Sequence, residues 1–256
     1  MKNREFYINH DSIPLHAKLD FPADEKEKYP LLIIGHGYTG HMEERHIVGI
    51  AKAANDIGFA VLRIELYGHG QSGGAFKNHT VLKWVDEMMT VLDYAASLDF
   101  VSDIYFAGHS QGGLTAILTA GAQRDRIKAL IPLAPAIIIR DAALQGTTFG
   151  VRFDPEHIPD EIVMDEVHTL SGDYFRAAQM LPVEEAIRRY DRPVLIVHAD
   201  TDESVPFSYA EWAAGLYKDC TLKIIEGDTH CYDRKLEEVL ESVTAFLKKN
   251  EFASQQ

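Results

Sequence analysis

Gly108-His109-Ser110-Gln111-Gly112 decides how this chain is read. The five residues match G-x-S-x-G, and their flanks supply the context that pattern needs. Asp103-Ile104-Tyr105-Phe106-Ala107, short and β-rich, runs into them, and Gly113 to Ala120, helical in character, runs out. A strand, a tight turn and a helix are thus predicted to meet at Ser110. A serine in such a turn crowds residues two positions away, and hydrogen side chains at 108 and 112 relieve the clash. The strain lifts the hydroxyl out of the chain. A plain helix N-cap would also place a serine here, so the decision passes to residues downstream.

A serine hydroxyl attacks well only beside a base that takes its proton and an anion that holds the base in its tautomer. The strand candidate Val194 to His198 is followed by Ala199-Asp200-Thr201-Asp202-Glu203-Ser204-Val205-Pro206, and Leu222 to Ile225 by Glu226-Gly227-Asp228-Thr229-His230-Cys231. Both loops follow strands, at the sheet edge where Ser110 is expected. His230 is one of 12 histidines, distinguished by its place between the last strand and the last helix. Asp200 and Asp202 are both candidates for the anion, and either could instead be a loop or helix-capping acid. An oxyanion hole needs two backbone N–H donors. One is expected from Gln111, the other from Tyr38 in Gly35-His36-Gly37-Tyr38-Thr39-Gly40. His41 and His46 look superficially metal-like, but a spacing of five puts them on different sides of a helix, and no metal site is expected.

Further out, Glu5 to Asn9 and Leu15 to Phe21 flank His10-Asp11-Ser12-Ile13-Pro14, the chemistry of an opening hairpin. Beyond residue 31 continuous apolar runs alternate with helical ones: strands at Leu31 to Gly35, Ala60 to Glu65, Asp103 to Ala107, Ile127 to Leu133, Val194 to His198 and Leu222 to Ile225. Amphipathic helices are expected through Val81, Trp84, Met88 and Leu92, and through Leu236, Val239, Val243 and Leu247. The fold class is therefore α/β, a mostly parallel twisted sheet with helices on both faces. Residues 136–189, with Asp154-Pro155, Ile158-Pro159 and Leu181-Pro182, break the rhythm. They are expected to form an inserted cap, leaving 1–135 and 190–256 as the core, at the strand edge where open α/β sheets bind ligands.

With 256 residues, 46% hydrophobic and 25% charged, the chain has the composition of a soluble globular domain. Its formal net charge of -14 repels nucleic acid and anionic membranes, leaving a small-molecule substrate as the expected partner and a homodimer open. No apolar leader or span is visible, so a cytoplasmic location is expected, with Cys220 and Cys231 reduced.

Taken together, His36-Gly37, Glu65-Leu66-Tyr67-Gly68-His69-Gly70-Gln71-Ser72, Gly108 to Gly112, Asp202 to Pro206 and Gly227 to His230 resemble the α/β-hydrolase superfamily across nearly the whole chain. Glu65 stands where that superfamily commonly has Asp. The segments Phe153 to Asp160 and Gly172 to Pro182 look like the small cap of bacterial cinnamoyl/feruloyl esterases, which cleave hydroxycinnamate esters without a cofactor. That resemblance implies a Ser110, Asp202, His230 triad, Tyr38 and Gln111 at the oxyanion hole, and Tyr174 at the phenolic hydroxyl. Asp141, or Gln145, matches the acid that helps grip the ring, and Phe149 stands where a polar cap residue is expected. Two other functions share the scaffold: hydrolysis of aliphatic acyl esters, as by carboxylesterases and monoacylglycerol lipases, and non-catalytic ligand binding.

Overall fold

The computed structural model describes residues 3–252. Among the described residues twelve strands and eight α-helices follow one another as β1 Asn3–His10, β2 Ile13–Asp20, β3 Tyr29–Gly35, α1 Arg45–Asp56, β4 Ala60–Ile64, α2 Val81–Ala96, β5 Val101–His109, α3 Gln111–Ala122, β6 Ala129–Leu133, α4 Ile138–Gln145, β7 Thr147–Thr148, β8 Val151–Arg152, β9 Glu161–Val163, β10 Thr169–Ser171, α5 Gly172–Gln179, α6 Val183–Arg189, β11 Val194–Ala199, α7 Ser208–Leu216, β12 Cys220–Ile225 and α8 Leu236–Phe252. Eight of the strands make one sheet in the order β1-β2-β4-β3-β5-β6-β11-β12. From β4 to β12 all pairings are parallel, while β1, β2 and the β2–β4 junction are antiparallel.

The opening hairpin turns through only Asp11 and Ser12, both at positive φ (45° and 70°), since His10 pairs with Ile13. Positive φ at both loop residues is the two-residue geometry whose twist matches that of the strands.

The continuous apolar strands are explained by burial on both faces. In β3 alternate residues go to opposite sides: Leu31 and Ile33 pack with Trp84, Met88 and Leu92 of α2 and Leu114 and Ile117 of α3. Leu32 and Ile34 pack with Ile47, Ile50 and Ala54 of α1 and Val239, Val243 and Leu247 of α8. A sheet sandwiched in this way has no polar face, which removes the period-two alternation. Between β6 and β11 lie α4, two small hairpins (β7–β8 and β9–β10), α5 and α6.

Candidate active site

Strand β5 ends at His109, helix α3 starts at Gln111, and Ser110 between them has φ 54° and ψ -118°. A non-glycine residue held there costs on the order of 1–3 kcal/mol and persists only when its surroundings over-determine it. Here they do: the Ser110 amide donates to the Leu133 carbonyl (2.9 Å), and the Ser110 carbonyl accepts from Leu114 (3.0 Å) and Ala136 (2.9 Å). The flanking glycines are required by close approach of backbone. A Cβ on Gly108 would stand 2.2 Å from the Gly112 carbonyl oxygen, and one on Gly112 would stand 2.3 Å from the His36 carbonyl oxygen. The clash they avoid is between strand, helix and the loop after β3 rather than with the serine itself.

That loop is clamped. His36 Nε2 accepts from the Leu66 amide (3.1 Å), so Nδ1 carries the proton and donates to the Gly37 carbonyl (2.8 Å). Burial drives His36 down to about 3, keeping it neutral. His69 Nε2 lies 2.5 Å from the Tyr38 carbonyl, and Glu65, the acid in the Glu65 to Ser72 run, accepts from the Gln71 amide (2.7 Å) while facing His16 (2.8 Å). Among the described residues neither the Tyr38 nor the Gln111 amide donates a hydrogen bond. Gln111 is the first residue of its helix, where amides have no intrahelical acceptor.

Asp202 and His230 meet across the ends of β11 and β12. The His230 Nδ1 to Asp202 Oδ2 distance is 2.7 Å. The same oxygen lies 3.1 Å from His198 Nε2, which is also 3.0 Å from the Val205 carbonyl. With two acceptors in front of it, that nitrogen carries a proton. Oδ1 of Asp202 accepts from the Ser204 and Val205 amides, both at 2.8 Å. Burial pushes the carboxyl up, but the hydrogen bonds from His198 and His230 outweigh it and hold Asp202 well below the usual carboxylate range. Asp200 is elsewhere, accepting from the Gly227 amide at 2.6 Å. His230 is further fixed by Glu203 Oε2, which accepts from its amide (3.2 Å), and by His109 Nε2, which donates to its carbonyl (2.9 Å). Asp228, fully buried, accepts from the Thr229, Arg234 and Lys235 amides and ties the loop to the start of α8.

Ser110 opens onto two cavities. One, about 240 Å³, is lined chiefly by Ile138, Ile139, Ala142, Met164, Leu170, Phe175 and Val205, with Tyr38, Gln111, Phe149 and Tyr174. The Tyr174 hydroxyl donates to Gln111 Oε1 (2.7 Å), and the Tyr38 hydroxyl is buried with no partner. The other, about 500 Å³ and more open, is lined by His230, His109, Thr39, Glu44, Asp165, His168, Glu203 and Cys231 besides Tyr38, Phe149 and Ser110. Ser110 Oγ makes no hydrogen bond among the described residues; nucleophile and base often tighten only around a substrate.

Sequence-predicted residues divide accordingly. Ser110, Asp202, His230, Tyr38, Gln111, Tyr174 and Phe149 lie at this place. Phe149 stands in a Phe149-Gly150 turn with both φ positive (44° and 80°), its ring stacked on Tyr38 at 6.2 Å. Asp141 and Gln145 do not reach the cavities at Ser110. Asp141 faces a separate hollow between α4, α6 and α7, where the Tyr209 hydroxyl donates to it at 2.9 Å, and Gln145 is exposed at the end of α4. One turn of helix puts both on the wrong side of α4, whose Ile138 and Ala142 line the cavity instead. His46 packs on His109 with ring centroids 4.2 Å apart, and both cysteines are free. The residue that sequence reasoning missed is His198. Its signal was present as His-x-x-x-Asp at the end of β11, hidden in an apolar run that reads as pure core.

A family model described as serine aminopeptidase, S33 (Hydrolase_4), matches residues 26–164. Est1E from Butyrivibrio proteoclasticus, solved with ferulic acid bound, superposes with a TM-score of 0.94 at 51% identity, covering 96% of this chain and 98% of that one. The rat mitochondrial palmitoyl-protein thioesterase ABHD10 is 26% identical over 194 residues, 71% of this chain and 62% of its own length, so the chain spans less than two thirds of that relative. The mouse ABHD10 structure, at 19% identity and a TM-score of 0.77, shares the fold.

Proposed function

The chain belongs to the serine aminopeptidase S33 family of α/β-hydrolases and is a serine carboxylic ester hydrolase, and from that premise we propose that it cleaves hydroxycinnamoyl esters. In this reading Ser110 attacks the ester carbonyl while His230 takes its proton, and Asp202 holds the imidazole and stabilises its charged form. The Tyr38 and Gln111 amides receive the developing oxyanion. His230 then protonates the departing alcohol and activates the water that releases the acid.

The observation that carries the substrate class is the 240 Å³ cavity beside Ser110, an apolar slot with two tyrosines, Tyr38 and Tyr174, in its wall. A buried hydroxyl without a partner, as on Tyr38, leaves an unmet hydrogen bond that a hydroxylated or methoxylated ring supplies. The Tyr174 proton is committed to Gln111, so towards a phenol Tyr174 acts as acceptor. Residues 136–189 form the cap in this account, contributing Ile138, Phe149, Met164 and Tyr174 to the slot. Ferulic acid bound to Est1E supports the same reading.

The experiment is a comparison of methyl ferulate with nitrophenyl butyrate in the native protein and in Ser110→Ala. The native protein is expected to favour ferulate, and Ser110→Ala to lose activity on both by on the order of a thousandfold or more while keeping its fold. Turnover of the butyrate ester alone would move the substrate to aliphatic acyl esters, and an active Ser110→Ala would remove the mechanism.

A further inference from the structure

Two cavities meet at Ser110, yet only the open one is lined by His230. This asymmetry assigns their contents. When the tetrahedral intermediate collapses, the bond between the acyl carbon and the alcohol oxygen breaks, and the proton that His230 took from Ser110 passes to that oxygen. The alcohol must therefore sit beside His230, in the cavity of about 500 Å³, while the acyl group occupies the apolar slot.

The walls on the alcohol side carry one sign of charge. Glu44, Asp165 and Glu203 line them, and among the described residues no lysine or arginine does. The Asp202 carboxylate lies directly behind His230. Glu44 Oε2 has His46 Nε2 4.0 Å away and packs so closely on Gly40 that a Cβ there would stand 2.3 Å from it, and burial raises its pKa above the ordinary carboxylate value. Asp165 is engaged by His168 at 2.8 Å, within its own loop. An anionic alcohol would meet these carboxylates with no lysine or arginine of the lining to compensate, whereas hydroxyls or a positive charge would find acceptors.

We propose that this cavity is the alcohol subsite and that it selects neutral, hydroxyl-bearing or cationic alcohols while rejecting anionic ones. The inference rests on the ester-hydrolase mechanism but not on the hydroxycinnamoyl acyl group, and its test uses acetates for that reason. Acetylcholine, its uncharged tert-butyl isostere and the acetate of a hydroxy acid of equal length share one acyl group and differ in the charge of the alcohol. The isostere and the choline ester are expected to exceed the anionic ester in kcat/KM by about tenfold or more, a gap that shrinks as added salt screens the exposed carboxylates. Glu203→Gln combined with Asp165→Asn is expected to bring it within about threefold. An anionic ester cleaved as fast as its isostere overturns the proposal, and so does a gap unmoved by both salt and the double variant. Inactivity on methyl ferulate, with the acetates still turned over, would instead sink the acyl assignment and leave the charge ranking readable.

Discussion

Asp202 accepts four hydrogen bonds: two from backbone amides on Oδ1 and two from imidazoles on Oδ2. A carboxylate so enclosed stays ionised and cannot rotate, so the tautomer of His230 is fixed with its Nδ1 protonated and its Nε2 free for Ser110. Asn at 202 would turn an amide group towards at least one of these donors. Asp202→Asn is accordingly expected to cut kcat by on the order of a thousandfold or more. Asp200→Asn keeps an oxygen for the Gly227 amide and is expected to stay within about fivefold of the native rate, as steady-state kinetics on one ester will show. The reverse ranking would transfer the role to Asp200. Spacing alone left the two acids unresolved because both lie in one loop, and only the path of the backbone after β11 decides which of them turns towards His230.

At the scale of elements, the turn between β5 and α3 is where sequence and structure agree most closely, because its glycines answer to sterics with no alternative. Gly112 touches the His36 carbonyl, so Gly112→Ala must push apart the helix and the loop that carries Tyr38. Its expected cost is about 3 kcal/mol in chemical denaturation, together with loss of turnover; a variant with native stability and rate would show that the contact is soft. The buried strands were equally legible, since burial on both faces writes itself as unbroken apolar sequence. The helices between β6 and β11 were not. At seven or eight residues each, α4, α5 and α6 are too short to display a helical period. The Phe149-Gly150 turn was hidden as well, since its first positive φ falls on a phenylalanine, and that turn decides which way the ring faces. Asp141 was misplaced for the same reason: without the axis of α4, its inner and outer faces cannot be told apart.

For the whole molecule, the most consequential feature is how many histidines fold in uncharged. Burial drives His36 and His79 to about 3 and His46 to about 4, and holds His109 well below its ordinary value. Their folded pKa values are depressed, so each contributes stability above the unfolded value near 6.5 and loses it as pH falls towards the folded value. Glu87 works in the other direction: pushed up to about 8 by burial, it takes a proton on folding across the same range. Between about pH 5 and 6, unfolding should take up about three protons net, and its free energy should fall by about 4 kcal/mol for each unit of acidification. Urea titrations at two pH values in that window measure the slope directly. A value below about 1 kcal/mol per unit would mean that these rings are already hydrated or charged in the native state, and the clamp on the Tyr38 loop, which depends on neutral His36 accepting from Leu66, would have to be abandoned with them.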